Sequence, residues 1–377
     1  MTAAPLRLAM VGGGPGSFIG PVHKMAAELD GTFTLVAGAF SRDPAKSRAA
    51  AERYGLPIER AYDDFNVMLD AEKARSDGAE VVAIVAPNHM HLPVAEAAVA
   101  RGFHIISDKP ATATLAEALA LKAALGSGTV RYGLTYTYTG YPMLREAREI
   151  CRAGALGPIR KVTIEYSQGW LSDAIEQTGN RQAAWRVDPR RAGAGGAIGD
   201  IGVHAFNIAE FVSGHRVVKL CADLSSLVAG RVLDDDCNML LRFDNDATGV
   251  LVASQIAAGD RNGLRLRVYG EKGGLDWSHE AAQILTLNWS DKPTEILHAG
   301  APYLRRGVQD SRLPIGHPEG FIEAFGNLYR DFAAHVRNGG ETLVPGISDG
   351  VRGMAFIDRA VLSSVTRAWV KLDNGGT

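Results

Sequence analysis

Residues 195–204 read GGAIGDIGVH and set Asp200 and His204 four positions apart behind two glycines. On a helical turn, positions i and i+4 share a face, so a carboxylate and an imidazole would be presented together. An imidazole has an ordinary pKa of about 6.5 and exchanges protons near neutral pH. That suits it to take a proton from a hydroxyl group. The plainer explanation is a solvated helix start, with Asp200 at the positive end of the helix dipole. A second residue with chemical promise is Lys109, in the sequence DKP at 108–110. It falls at the carboxyl end of an expected parallel strand, the edge where open α/β sheets bind ligands. A lysine there can hold an oxyanion as a fixed positive charge; otherwise it is an ordinary surface lysine.

Elements that could position these groups are readable around them. VGGGPGSFIGPVH (11–23) follows an apolar strand, LRLAMVG (6–12), and opens a helix. Glycines allow a sharp turn and close approach to a pyrophosphate, whose charge sits at the helix N-terminus. Strand, glycines and helix arrive in the order that a dinucleotide site requires. Strands are expected at 33–40, 79–87, 103–110 and 130–136, alternating with helices at 44–55, 91–101 and 114–125. That alternation implies parallel pairing and a doubly wound sheet. After about residue 140 the pattern changes. A helix at 142–154 and a strand at 159–170 lead into strands at 218–228, 237–244, 248–257 and 264–270. FDNDATG and YGEKGG supply turn chemistry for antiparallel hairpins. Two helices, 318–337 and 347–370, are expected to close the second domain. The expected division is therefore 1–136 and 137–377.

Composition narrows the function. The chain has 377 residues, 46% hydrophobic and 22% charged, with a net charge of −2. It has no Lys/Arg-rich run, which argues against nucleic acid or an anionic membrane surface as partner. No apolar stretch reaches spanning length, and a strand starting by Leu6 leaves no room for a signal peptide. Cys151, Cys221 and Cys237 are widely spaced, which suits a reducing cytoplasm. No metal is expected. HEAAQ (279–283) lacks the second histidine of a zinc motif. HMH (89–91) would put its histidines on opposite faces of a strand. DDD (234–236) reads as a solvated acidic loop before a strand.

With these motifs in order, the chain resembles the glucose–fructose oxidoreductase / inositol dehydrogenase family of Rossmann-fold sugar oxidoreductases. The resemblance runs over nearly the whole chain. It rests on Gly12, Gly14 and GPVH (20–23), on APNHMH (86–91), on Lys109–Pro110, and on GGAIGDIGVH matching the pattern G-G-x-x-x-D-x-G-x-H. It implies an α/β fold, with an N-terminal Rossmann domain and a C-terminal α+β domain built on a large, mostly antiparallel sheet. It also implies a catalytic set of Lys109, Asp200 and His204, with His204 as general base. Gly12, Gly14, Ser17, Phe18, Ile19, Ser41, Arg42, Pro87, Asn88, His91 and Lys109 would bind the cofactor. Tyr136, Trp170, Trp185 and Arg186, with Asp200 and His204, would bind substrate. The chain departs from the family in an extended glycine loop, in Asp108 for Glu, and in Thr137 where an arginine is common. QGWL (168–171) and WRVDP (185–189) flank the pocket side and could take over from that missing arginine.

The expected activity is hydride transfer between a secondary alcohol of a sugar or cyclitol and a nicotinamide. The alternatives are a glycoside hydrolase or lyase acting through transient sugar oxidation, and a non-catalytic cofactor sensor. The second strand ends GAFSRDP, with Ser41 and Arg42 where an acid would select NAD. NADP is therefore expected to be preferred, with NAD possible. Asp43, before Pro44, reads as a helix N-cap. The alternating strands at 237–270 have a second face with no helical cover in the sequence. They imply a homodimer or homotetramer.

Overall fold

The computed structural model describes residues 3–373. It divides into two units: Met1–Thr137 with Phe321–Val351, and Tyr138–Gly320 with Arg352–Thr377. Among the described residues the first holds six parallel strands, β1 (Leu6–Gly12), β2 (Phe33–Ala39), β3 (Ala61–Tyr62), β4 (Val81–Val85), β5 (His104–Ser107) and β6 (Tyr132–Leu134). Their order, β3-β2-β1-β4-β5-β6, reverses direction between β1 and β4, as in dinucleotide-binding folds. All five residues of β4 are buried. A central parallel strand is covered on both faces, so its sequence is a continuous apolar run rather than an alternation.

The helices of this unit follow local signals. Helix α1 (Ile19–Glu28) opens directly after the glycine loop. Helix α2 (Pro44–Tyr54) is capped by Asp43, whose carboxylate accepts the N–H groups of Ala45 and Lys46, and it stops at Gly55 with φ +73°. Helix α3 (Phe65–Ala74), in a region for which the sequence pattern above proposes no element, is capped the same way by Asp64. Helix α4 (His91–Ala100) follows a 3-10 turn, Asn88–Met90. HMH therefore lies at a helix start and not on a strand. Helix α5 (Leu115–Leu125) begins with a Thr114–Glu117 capping box.

One boundary differs from the sequence expectation. The helix expected at 318–337 in the second domain is found at Phe321–Asn338 and belongs to the first unit. Its Phe325, Tyr329 and Phe332 are fully buried in one core with Leu6, Leu8 and Phe33. Burying each such ring contributes roughly 1.5–3 kcal/mol. The apolar stripe fits the first sheet, and sequence order does not reveal which sheet a helix will cover.

Among the described residues the second unit carries nine strands: β7 (Ile159–Ser167), β8 (Val217–Ser225), β9 (Asp236–Phe243), β10 (Thr248–Ser254), β11 (Gly263–Gly270), β12 (Gly273–Ser278), β13 (Ile284–Trp289), β14 (Glu295–His298) and β15 (Val370–Lys371). Their order is β14-β13-β12-β11-β7-β10-β9-β8-β15. Among the described residues only the β7–β10 pair of this sheet is parallel. Helices α6 (Pro142–Arg152) and α9 (Val203–Ser213) pack on this sheet and on each other. Strand β9 shows the two faces: Cys237, Met239, Leu241 and Phe243 are buried, while Asn238, Leu240 and Arg242 are exposed. Strand β7 ends at Ser167, so Gln168 and Trp170 lie just beyond it rather than within the expected strand to residue 170.

Candidate active site

In the first unit, the glycine loop has the shape of a phosphate cradle. Gly13 has φ +75°, a conformation side chains rarely adopt, and a Cβ on Gly14 would lie 2.5 Å from the Phe40 carbonyl oxygen. Tyr54 donates its hydroxyl to the Gly13 carbonyl at 2.6 Å and holds the turn. Ser17 Oγ accepts the Gly20 N–H at 3.2 Å, and exposed Phe18 immediately precedes Ile19, the first residue of α1. Helix α1 has no acidic residue in its first turn, and its N-cap residue, Phe18, makes no side-chain capping hydrogen bond. A helix start of this kind, approached through glycines, fits a dinucleotide pyrophosphate.

Ser41 and Arg42 follow β2, and Arg42 is exposed. Ser41 Oγ accepts the Asp43 N–H at 3.2 Å. Asp43 itself bonds Ala45 and Lys46 N–H at 3.0 and 3.3 Å and pairs with the Lys46 ammonium at 3.3 Å. At the neighbouring strand ends, Asn88 is buried and Pro87 exposed. The His91 ring is buried, with Nδ1 2.8 Å from the Pro110 carbonyl and Nε2 2.8 Å from the Ala86 carbonyl. It ties the turn bearing Pro87 and Asn88 to the turn bearing Lys109. Asp108 Oδ1 accepts from the Lys109 N–H at 2.9 Å and from the Thr135 hydroxyl at 3.0 Å. Lys109 is partly exposed, whereas Tyr136 is buried just after β6.

In the second unit, GGAIGDIGVH forms a π-helical turn, Ile198–Gly202, that runs into α9. Such wide turns occur often at functional sites. The solvated helix start is not what forms. Asp200 Oδ2 accepts from Arg186 Nε at 3.0 Å and from Gln255 Nε2 at 2.9 Å. His204 is 8% exposed, and the Tyr138 ring meets it edge-on at 5.0 Å. Arg186 lies in helix α7 (Arg181–Arg186), with its guanidinium 4.3 Å over the Trp185 ring and 5.6 Å over Trp170. Trp170 Nε1 donates to Gln168 at 3.1 Å, and Gln168 donates to Asn262 at 2.7 Å. Asn262 accepts from Tyr166 at 2.7 Å and donates to Tyr138 at 3.2 Å, and the two phenols bond each other. Burial pushes the Tyr166 hydroxyl well above its usual range and raises that of Tyr138. Both phenols therefore serve as neutral hydrogen-bonding groups.

The structure thus assembles Trp170, Trp185, Arg186, Asp200 and His204 in one unit, and the glycine loop and Lys109 turn in the other. Sequence reasoning missed Gln255, Asn262, Tyr138 and Tyr166 as members of the network, whereas Gln168 opens the QGWL segment expected on the pocket side. Tyr138 follows Thr137, the position where the chain departs from the family pattern, and that departure is the available signal. Gln255 and Asn262 carry none, because their role comes from strand ends brought together by sheet pairing. The run DDD was also misjudged. Asp235 is buried, and the Asp234 carboxylate bonds the backbone of the GGAIGD loop, so neither is a solvated surface acid.

Comparison with known proteins agrees with this architecture. Residues 6–136 match the model of an oxidoreductase family with an NAD-binding Rossmann fold, and residues 144–276 match the GFO/IDH/MocA C-terminal domain. The uncharacterized oxidoreductase YfiI of Bacillus subtilis is 34% identical over 372 residues, spanning 96% of this chain and 95% of that protein. The levoglucosan dehydrogenase of Pseudarthrobacter phenanthrenivorans is 26% identical over 408 aligned residues, spanning 97% of each. A crystal structure of an inositol dehydrogenase homolog from Azotobacter vinelandii, complexed with NAD+, superposes with a TM-score of 0.92 at 34% identity and covers 98% of each chain.

Proposed function

The chain belongs to the GFO/IDH/MocA oxidoreductase family, and from that premise we propose that it transfers a hydride between a secondary alcohol of a sugar or cyclitol and a nicotinamide. The observation that carries the reading is the Arg186–Asp200–Gln255 arrangement with His204 on the following turn. It sets an acid and an imidazole four residues apart beside a network of amides and phenols that suits hydroxyl groups. His204 takes the proton of the reacting hydroxyl in the oxidative direction. Lys109 holds the oxygen as negative charge develops there. Asp200, charged and held at two points, orients the substrate and balances the imidazolium. When bound, the nicotinamide accepts or supplies the hydride. Gly12, Gly14, Ser17, Phe18 and Ile19 hold its phosphates. Pro87 and Asn88 line the next strand ends, with His91 fixing their turn. Trp170 and Trp185 offer ring faces to the apolar side of a sugar. Related proteins carrying names such as inositol 2-dehydrogenase and levoglucosan dehydrogenase support this substrate class.

NADP(H) is the preferred cofactor in this reading and NAD(H) is tolerated. Ser41 presents no charge against a 2′-phosphate, Arg42 supplies a planar cation, and Asp43 is occupied as a helix cap. The protein self-associates through the exposed sheet face, where Leu240, Tyr269 and Ile296 are 48%, 41% and 56% exposed. The reaction takes place in the cytoplasm, where the unpaired Cys151, Cys221 and Cys237 stay reduced.

A panel of polyols and glycosides with both cofactors tests the assignment. Nicotinamide reduction on at least one cyclitol or sugar is expected. Cleavage of a glycoside with no net cofactor reduction would overturn it. Sedimentation showing only monomer at micromolar concentration would remove the interface.

A further inference from the structure

The acidic run at 234–236 takes no part in the chemistry proposed above, yet it is wired to the residues that do. Asp234 Oδ1 accepts the Gly196 N–H at 2.6 Å, and Oδ2 accepts the Ile198 N–H at 2.7 Å. Its main-chain carbonyl accepts the Ala197 N–H at 2.8 Å. Three consecutive amides of the signature loop are thus fixed on one residue. A Cβ on Gly196 would fall 2.0 Å from that carbonyl oxygen, so the approach requires glycine. Ile198 is the first residue of the π-helical turn, and the Gly196 carbonyl accepts the Asp200 N–H at 2.9 Å. The anchor therefore lies one hydrogen bond from Asp200 and a turn and a half ahead of His204.

The anchor is itself braced. Asp235 accepts the Leu227 and Val228 N–H groups at 2.8 and 2.9 Å and faces Arg231 at 3.6 Å. Arg231 donates to the Leu171 carbonyl at 2.7 Å and pairs with Glu176 at 3.0 Å, which fixes the segment after Trp170.

We propose that Asp234 is a positioning residue: its carboxylate fixes the backbone of residues 196–198 and thereby sets where Asp200 and His204 stand. The consequence for turnover rests on the dehydrogenase reading; the anchor itself does not.

Both partners of the carboxylate are N–H donors, so a protonated Asp234 would direct its hydroxyl at a group unable to accept it. Burial raises this carboxyl to about 6, the two N–H bonds oppose the rise, and the Asp235 charge adds to it. The other titratable group facing it among the described residues is the Cys237 thiol, pushed well above its usual range by burial and by nearby acids. Because the folded loop holds this carboxyl above its ordinary value, a proton binds the closed loop more tightly than an exposed carboxyl, so low pH alone does not release the anchor.

Amide hydrogen exchange on the full chain, followed in peptides covering 193–204 and corrected for intrinsic rates, reads the anchor directly. Asp234→Asn replaces one acceptor oxygen with a donor. A charge-assisted bond is worth about 1.5–3 kcal/mol, so residues 196–198 should exchange roughly ten- to a hundredfold faster in the variant above pH 6. In turnover, kcat should fall roughly tenfold or more while cofactor KM stays within a factor of about two. Unchanged exchange in the variant, or accelerated exchange with kcat untouched, overturns the proposal. If the variant does not fold, the wild-type exchange profile decides alone: amides of residues 196–198 exchanging at their intrinsic rates refute the anchor. If no polyol is oxidised by the wild type, the dehydrogenase reading fails separately, and the exchange measurement still tests the anchor.

Discussion

Replacing Arg186 tests whether Asp200 works as a held charge. The guanidinium makes one charge-assisted bond to Asp200 at 3.0 Å and lies 4.3 Å over Trp185. Arg186→Met keeps the aliphatic stem and removes the cation. A hydrogen bond to a charged group contributes about 1.5–3 kcal/mol. The two side chains are 24% and 19% exposed, so solvent screening brings this pair to the lower part of that range. About 1.5 kcal/mol corresponds to a little over tenfold in rate. Gln255 still donates to Asp200 in the variant, which limits the loss. Steady-state kinetics on the best polyol should therefore show kcat/KM reduced roughly ten- to thirtyfold, with cofactor binding by fluorescence titration unchanged. Arg186→Lys should recover only part, because an ammonium cannot reproduce the planar stack and directed N–H. A kcat/KM within twofold of wild type in Arg186→Met would show that Asp200 does not depend on the Arg186 cation.

Lys109→Ala and His204→Ala should each lower kcat by roughly 10²–10⁴-fold with little change in cofactor affinity; more than half the wild-type turnover in both would remove them from the catalytic set. Arg42→Ala should cut the NADP-over-NAD ratio of kcat/KM about tenfold, whereas an unchanged ratio, or a wild type favouring NAD by that factor, would reverse the cofactor assignment. Burial lowers the pKa of His23 from 6.5 to about 4, against the opposing pull of Asp108. The folded state thus favours the neutral ring, so its contribution is complete above about 6.5 and is lost as pH falls from there toward 4. The loss is on the order of 3 kcal/mol. Thermal midpoints of the wild type should drop over that window relative to His23→Gln, and parallel curves would contradict the buried neutral ring.

The legible parts of this molecule are those whose physics is local. The run Val81–Val85 is buried on both faces, and Asp43–Pro44 with Gly55 brackets α2 as its residue types require. Glycines at 12–14 announce the loop because no other residue allows that path. The illegible parts depend on partners remote in sequence. Asp234 looks like a surface acid until Gly196 is brought against it, 38 residues away along the chain. Gln255 reaches Asp200 across 55 residues. The stripe Phe325–Tyr329–Phe332 declares an amphipathic helix but not the sheet it covers.

That last helix has a consequence for how the protein is made. The core around Leu8 and Phe33 is completed only by residues from 321 onward, with Val344 among its members. A nascent chain therefore exposes part of the first sheet's apolar surface while the whole of residues 138–320 is being synthesised. Cotranslational folding cannot finish the first unit first, although it comes first in sequence. A gene fragment ending at residue 137 encodes an open core, so any truncated version meant to bind cofactor alone must restore 321–351, for example by joining that segment through a linker.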